Sequence, residues 1–323
     1  MGAIEIITAL NDPVMKLIDT VGQAIGKANE PKYVKEMADA KAYEIEKLSE
    51  AFRNNSDLPI VYNGRDMSID ISDYDSLRQR AGARLAYQEL RKQENIEAVI
   101  EKACEEVQGK ELQSDTPVSQ DWMNRFISNV GEVSDEDMQL LWAKVLAGEV
   151  IAPKSFSLKT LECLRNLASD DAVLFMKVCP FILGDSFLLS DTKLNEKYGI
   201  LYNDILRLDD CGLINSSGFI SLKTTVGKER KLILDFKEFI LMGQCNNGED
   251  QKISIGEFPL TRSGRELSQI ASKEKMSGEY IVDVVELVKK AANSCKFSLH
   301  RVNSRNGDTI SYNEDEITAI ETI

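Results

Sequence analysis

The clearest hydrophobic rhythm in the chain runs from residue 117 to 182, where four stretches repeat apolar side chains at helical spacing. Trp122, Phe126 and Val130 share one stripe behind Ser119, a good N-cap residue, and Gly131 closes the segment. Met138, Leu141, Trp142, Val145 and Leu146 then recur at i, i+3, i+4, i+7 and i+8. That spacing predicts an amphipathic helix opened by Ser134 and stopped at Gly148. Its first turn carries Asp135, Glu136 and Asp137, carboxylates at the positive end of the helix dipole, and Glu149 is read as solvated. Beyond Pro153, Ser157 is expected to cap a third helix with Leu158, Leu161, Leu164 and Leu167 on one side. Ser169 is expected to cap a fourth, ending before Pro180. Four short capped helices predict a compact helical core over 116–184.

Upstream, residues 1–115 read as a helical arm. Ile4, Ile7, Leu10, Val14, Leu17, Ile18, Val21 and Ile25 make an apolar side over 3–28, broken near Pro13. Gly22 and Gly26 have the spacing that lets membrane helices approach closely. Glu5, Asp12, Lys16 and Asp19 argue against spanning, so packing within protein is the expectation. A second helix is predicted over 31–54 with a solvated charged face. Residues 58–72 fit a small hairpin around Asn63-Gly64, or a loop ordered on binding. A long polar helix follows over 73–107, with Leu77, Leu85, Leu90, Ile96, Val99, Ile100 and Ala103 as its apolar side. Long helices with thin stripes pair with one another, which makes the arm a candidate oligomerisation element. Arg78, Arg80, Arg84, Arg91 and Lys92 are a possible phosphate grip, but Glu89, Glu94, Glu97 and Glu101 follow closely. A solvated face with i,i+4 pairs is the better reading.

Residues 185–323 change character. Leu194, Tyr198, Leu201, Ile205 and Leu208 predict a helix ending at Gly212, followed by Leu213-Ile214 and then Phe219 to Leu222. Alternation at Leu232, Leu234 and Phe236, and at Ile253, Ile255 and Phe258, predicts further strands. Thr261 caps a helix, Tyr280, Val284, Leu287, Val288 and Ala291 mark another, and Asn306-Gly307 signals a terminal hairpin. The acidic tail over 314–321 is expected to fray. The expected fold is thus mainly α with a C-terminal α+β module of winged-helix-like order. Lys223, Lys228, Arg230 and Lys231 lie on its wing, and Arg262 and Arg265 open the later helix; together they are the best nucleic-acid candidates.

Charge weighs against a general nucleic-acid coat, because the net charge of −14 leaves a phosphate-binding role to a local patch at most. The six cysteines show no C-x-x-C pair and there is a single histidine, His300, so a standard zinc site is not expected. The cysteines are read as reduced thiols of a cytoplasmic protein, since no secretory leader or spanning stretch is evident. His300 lies in a predicted strand with no nucleophile arranged beside it, and a structural role is expected. Neither a P-loop, a Rossmann fingerprint, H-E-x-x-H nor G-x-S-x-G occurs. No catalytic residue, metal ligand or cofactor is expected.

The run DW..RF, then VSDEDMQLLWAKVLAGEV, then P.SFSLKTL..L..L...DA..F resembles the bacterial domain-of-unknown-function family 2806. EPKYVKEMADAKA, QENIEAV and FPLTRSGREL extend the likeness. Trp122, Phe126, Met138, Trp142 and Phe156 are its core positions here, and both tryptophans are read as packing rather than as a base-stacking platform. Where the family commonly shows P-G-S-F-S, this chain has Lys154. The S.KTL..L..L...DA rhythm is also similar to alpha-type abortive-infection proteins, which implies a role in bacterial defence against phage. The expected function is therefore a non-enzymatic interaction or oligomerisation protein that binds a protein partner or itself. The alternatives are a nucleic-acid-binding regulator acting through the wing, a membrane-perturbing effector acting through 3–28, and a carboxylate- or metal-dependent hydrolase.

Overall fold

The computed structural model describes residues 12–24, 60–62, 67–69, 77–216, 221–226, 232–245, 251–271, 275–292, 295–306 and 309–313. The expected helix over 31–54 and the acidic tail lie outside them. The chain divides into two compact units, Met1–Ser155 and Phe156–Ile323. All four helices expected between 117 and 182 form, but the division falls in their middle, so two belong to each unit.

In the first unit, α1 (Asp12–Ala24) has Pro13 in its first turn and buries Val14, Leu17 and Val21, one stripe facing α3 (Gln120–Val130) and α4 (Glu136–Ile151). Strands β1 (Ile60–Tyr62) and β2 (Met67–Ile69) pair antiparallel, as the Asn63-Gly64 signal predicts. The long helix α2 (Leu77–Val107) packs along α4 through Ile96, Val99, Ile100, Ala103 and Val107. Its first half departs from expectation: Leu77 is 77% and Leu85 59% exposed. Length explains this. At 1.5 Å per residue α2 spans about 46 Å and α4 about 24 Å, so α4 can cover only half of it.

Helix α4 also departs from its expected two-faced form. Ten of its 16 residues are buried, Ala143, Ala147 and Glu149 among them, and it runs through Gly148 to Ile151. Asp135, not Ser134, caps it by accepting from the Met138 amide at 2.9 Å. Trp122 stacks on Phe126 with centroids 5.2 Å apart, and Phe126 meets Trp142 edge-on at 5.5 Å. Glu149 is corrected from solvated to buried, at 2% exposed. One of its carboxylate oxygens accepts the Lys154 amide at 2.7 Å. Lys154 is held at φ 76, the left-handed region that a glycine occupies without strain.

In the second unit, α5 (Leu158–Arg165), capped by Ser157 as expected, packs against α9 (Arg262–Ala271). Helix α6 (Ser169–Val178) begins one residue early, with Ala168 rather than Ser169 at its N-cap. Strand β3 (Phe187–Leu189), helices α7 (Thr192–Lys197) and α8 (Tyr202–Asp210) and strand β4 (Ser221–Val226) follow. Next come β5 (Leu232–Asp235), β6 (Phe239–Cys245) and β7 (Gln251–Pro259). The expected single helix over 194–208 is two, because Gly199 at φ 72 turns the chain between them. Strand β7 sits between β3 and β4 in an antiparallel sheet, with Leu188 opposite Phe258 and Leu222 opposite Ile255.

Between β4 and β7, the pair β5–β6 leaves that sheet and joins β8 (Cys295–Asn306) and β9 (Thr309–Tyr312) in the order β5-β6-β8-β9. Helix α10 (Gly278–Ala291) buries Tyr280, Ile281, Val284 and Val288 in a core with Leu232, Leu234 and Leu241. Ladder register places Cys245 opposite Cys295, and Cys295 is disulfide-bonded. The expectation of six reduced thiols is corrected at Cys295, whose bond nothing local in the sequence signals. Such bonds are rare in reducing compartments.

Candidate interaction surface

Helix α8 is held on one side and bare on the other. Asp191 caps α7 by accepting the Leu194 amide at 2.8 Å, and buried Asn195 donates to the Leu189 carbonyl at 2.8 Å, fixing α7 on β3. After the Gly199 turn, Asp204 accepts the Leu201 amide at 2.9 Å and starts α8. Ile205 and Leu208 are the buried residues of the helix, and Gly212 at φ 72 ends it, with the Leu213 amide donating to Leu208 at 2.9 Å. Arg207 pairs with Asp171 on α6, while Lys177 donates to the Gly199 carbonyl at 2.5 Å. These two ties run α6 and α8 antiparallel.

Outward, the pair presents Leu201 at 55%, Tyr202 at 53%, Val173 at 53% and Leu206 at 39% exposure. Asp170 and Asp210 are exposed beside them. The helical rhythm that puts Leu194, Tyr198, Leu201 and Leu208 on one side misses this face. The turn at Gly199 re-phases α8, so Leu201 points away from the core that Tyr198 enters.

Tyr198 belongs to a separate tie between α7 and α10. Its hydroxyl donates to Asp283 at 2.7 Å, and Lys197 contacts Asp283 at 2.6 Å and Glu279 at 3.0 Å. Burial, with the Asp283 bond, pushes the Tyr198 hydroxyl up to about 12. The Lys197 bond, then that from Tyr198, holds Asp283 below the usual aspartate range.

The basic candidates do not form one described patch. Arg262 donates through Nε to Glu266 at 2.7 Å, and Arg265 donates to the Leu260 carbonyl at 3.3 Å. Lys223 lies on β4 opposite Ser254, while Lys228, Arg230 and Lys231 lie outside the described residues. Glu266 also accepts the Ser157 amide at 2.6 Å and the Thr160 hydroxyl, so it anchors the start of α5. Burial raises its pKa, but these bonds together with Arg262 outweigh that and hold it below the usual glutamate range. Helix α9 packs closely through Gly264, where a Cβ would lie 2.0 Å from the Leu213 carbonyl oxygen. The glycine of FPLTRSGREL is therefore a packing requirement rather than a ligand contact.

Trp122, Phe126, Met138, Trp142 and Phe156 are all buried and offer no stacking platform. His300 is buried with both ring nitrogens engaged, Nδ1 with the Asn313 carbonyl at 3.0 Å and Nε2 with the Ser298 hydroxyl at 2.8 Å. Burial pushes the thiols of Cys104 and Cys211 up to about 11 and that of Cys179 up to about 12, which disfavours thiolate chemistry. Among the described residues no three His, Cys, Asp or Glu side chains gather as a metal set, and no helix is long and apolar enough to cross a membrane. In the first unit, a cleft of about 370 Å³ beside α1 is lined by Met15, Lys16, Asp19, Asp115 and Met123 among others, and Lys16 donates there to the Ser114 carbonyl at 2.6 Å.

Residues 79–285 match the profile of a family described as protein of unknown function (DUF2806), and the chain belongs to that family. No curated protein and no solved structure matches it significantly.

Proposed function

We propose that this member of the family is a non-enzymatic interaction or oligomerisation protein whose docking face is the outer side of α8 with α6. The observation that carries the reading is the composition of that face: Leu201, Tyr202, Leu206 and Val173 exposed, with aspartates beside them. The order β3–α7–α8–β4–β7, with β7 central, supports a winged-helix-like reading in which α8 corresponds to the recognition helix. A recognition helix that reads DNA offers free cations and hydrogen-bond donors to phosphate and base edges. The arginine on α8, Arg207, is instead tied to Asp171, and α8 carries Asp204, Asp209 and Asp210. Exposed apolar side chains with an acidic rim suit a protein partner.

Nucleic-acid binding through Lys223, Lys228, Arg230 and Lys231 is the second reading, favoured by the clustering of those bases in sequence. Winged-helix likeness does not itself imply DNA. Membrane perturbation through 3–28 is the weaker reading, because Val14, Leu17 and Val21 are already used inside the first unit. A setting in phage defence rests on resemblance alone.

The test is light scattering of the purified full-length protein with absorbance at 260 and 280 nm, followed by titration with duplex DNA at physiological salt. Protein free of nucleic acid that ignores the duplex is the expected result. Binding that charge reversal at Lys228, Arg230 and Lys231 abolishes would replace the interaction reading with the nucleic-acid one.

A further inference from the structure

We propose that the α8 face docks the exposed first half of α2 on a second copy of the chain, a proposal that rests on reading α8 as a protein-docking surface. The two surfaces match in both kinds of chemistry. Residues 77–88, LRQRAGARLAYQ, contain Arg78, Arg80 and Arg84 and no carboxylate, a basic island in a chain of net charge −14. Leu77, Ala81 and Leu85 stand at i, i+4 and i+8, one line along the helix, and all three are exposed. The α6–α8 pair carries Asp170, Asp171, Asp204, Asp209 and Asp210 against Lys177 and Arg207, and it exposes Val173, Leu201, Tyr202 and Leu206. A basic helix with an apolar line thus meets an acidic face with apolar side chains, the arrangement in which charge steers the encounter and buried apolar anchors hold it.

Pairing α2 with α2 is disfavoured by the same charges. Bringing Leu77 opposite Leu85 of an antiparallel copy would face the arginines of one helix with those of the other. The acidic second half of α2 is ruled out as the complement for a different reason: its apolar residues Ile96, Val99, Ile100 and Ala103 are buried against its own unit. The contact pairs unlike surfaces, so it closes as a two-fold dimer where both contacts form reciprocally between two copies, and otherwise propagates into a ring or an open chain.

Light scattering over a wide concentration range tests this with the full-length chain and two variants, Arg84→Glu/Leu85→Ser on α2 and Leu206→Ser/Asp210→Lys on α8. Wild type is expected to show mass rising with concentration above 36.2 kDa. Each variant is expected to associate about tenfold or more weakly, the loss typical of removing a hot-spot contact. Mixing the two variants is the decisive arm. Each retains the surface the other lacks, so the mixture is expected to form a one-to-one pair and stop there. Circular dichroism melts matching wild type establish that both variants are folded.

A wild-type chain that stays monomeric overturns the proposal, as does association that neither variant weakens or that mixing fails to restore. A monomer that is also free of nucleic acid overturns this inference while leaving the interaction reading standing. A chain that binds duplex DNA through the wing removes the interaction reading itself.

Discussion

Two helices, the apolar α4 and the more polar α8, make opposite use of their apolar side chains. Helix α4 buries ten residues and has hardly any free side, so its apolar positions are accounted for by packing. Helix α8 buries Ile205 and Leu208 and leaves Leu201, Tyr202 and Leu206 in solvent. Apolar side chains that the fold does not consume, on a helix already anchored by its polar ties, are what the proposed docking face is built from.

The comparison predicts a wide separation of mutational cost. Trp142→Ala on α4 removes an aromatic side chain that is 0% exposed and packed on Phe126, and should destabilise the first unit by about 3–5 kcal/mol, read by chemical denaturation. A loss under about 1 kcal/mol would mean that α4 is not the packed centre described here.

Glu266 gives an intermediate effect with a pH signature. Its folded pKa lies below the unfolded value, about 4.3, so the folded state holds fewer protons in that range. Its contribution is complete above the unfolded pKa and is lost as pH falls through the folded value. The melting temperature should drop on acidification, and Glu266→Gln should be less stable at neutral pH and lose part of that dependence. An unchanged acid profile in the variant would remove Glu266 from the account.

Lys154→Gly should stabilise the protein by about 0.5–1 kcal/mol, because relief of the left-handed strain exceeds the backbone entropy glycine adds to the unfolded chain. Leu206→Ser should be the smallest effect of all, within about 0.5 kcal/mol of wild type by thermal melting. A large loss there would show that α8 is packed on both sides and would end the contrast with α4.

Much of this was legible in advance. Helix rhythm located the four central helices, Asn63-Gly64 and Asn306-Gly307 located both hairpins, and the family motif marked Trp122, Phe126 and Trp142 as core. What periodicity missed has a common cause: it reports which positions are apolar, not what covers them. Leu77 and Leu85 lie on an apolar side by sequence yet stay exposed, because α4 is too short to reach them. Glu149, polar and near a helix end, looks solvated until the Lys154 amide is seen folding back onto it. Cys245 and Cys295, far apart along the chain, are brought opposite each other only by the β6–β8 register.

The sequence by itself determined the local facts: where helices start and stop, which turns reverse the chain, the acidic balance and the lack of recognisable catalytic motifs. These depend on residues within a few positions of one another, or on sums over the chain. Tertiary structure alone decided which apolar residues were consumed and which were left over. That outcome depends on helix lengths, on the re-phasing turn at Gly199 and on strand register, all of which are set by contacts between segments distant in sequence.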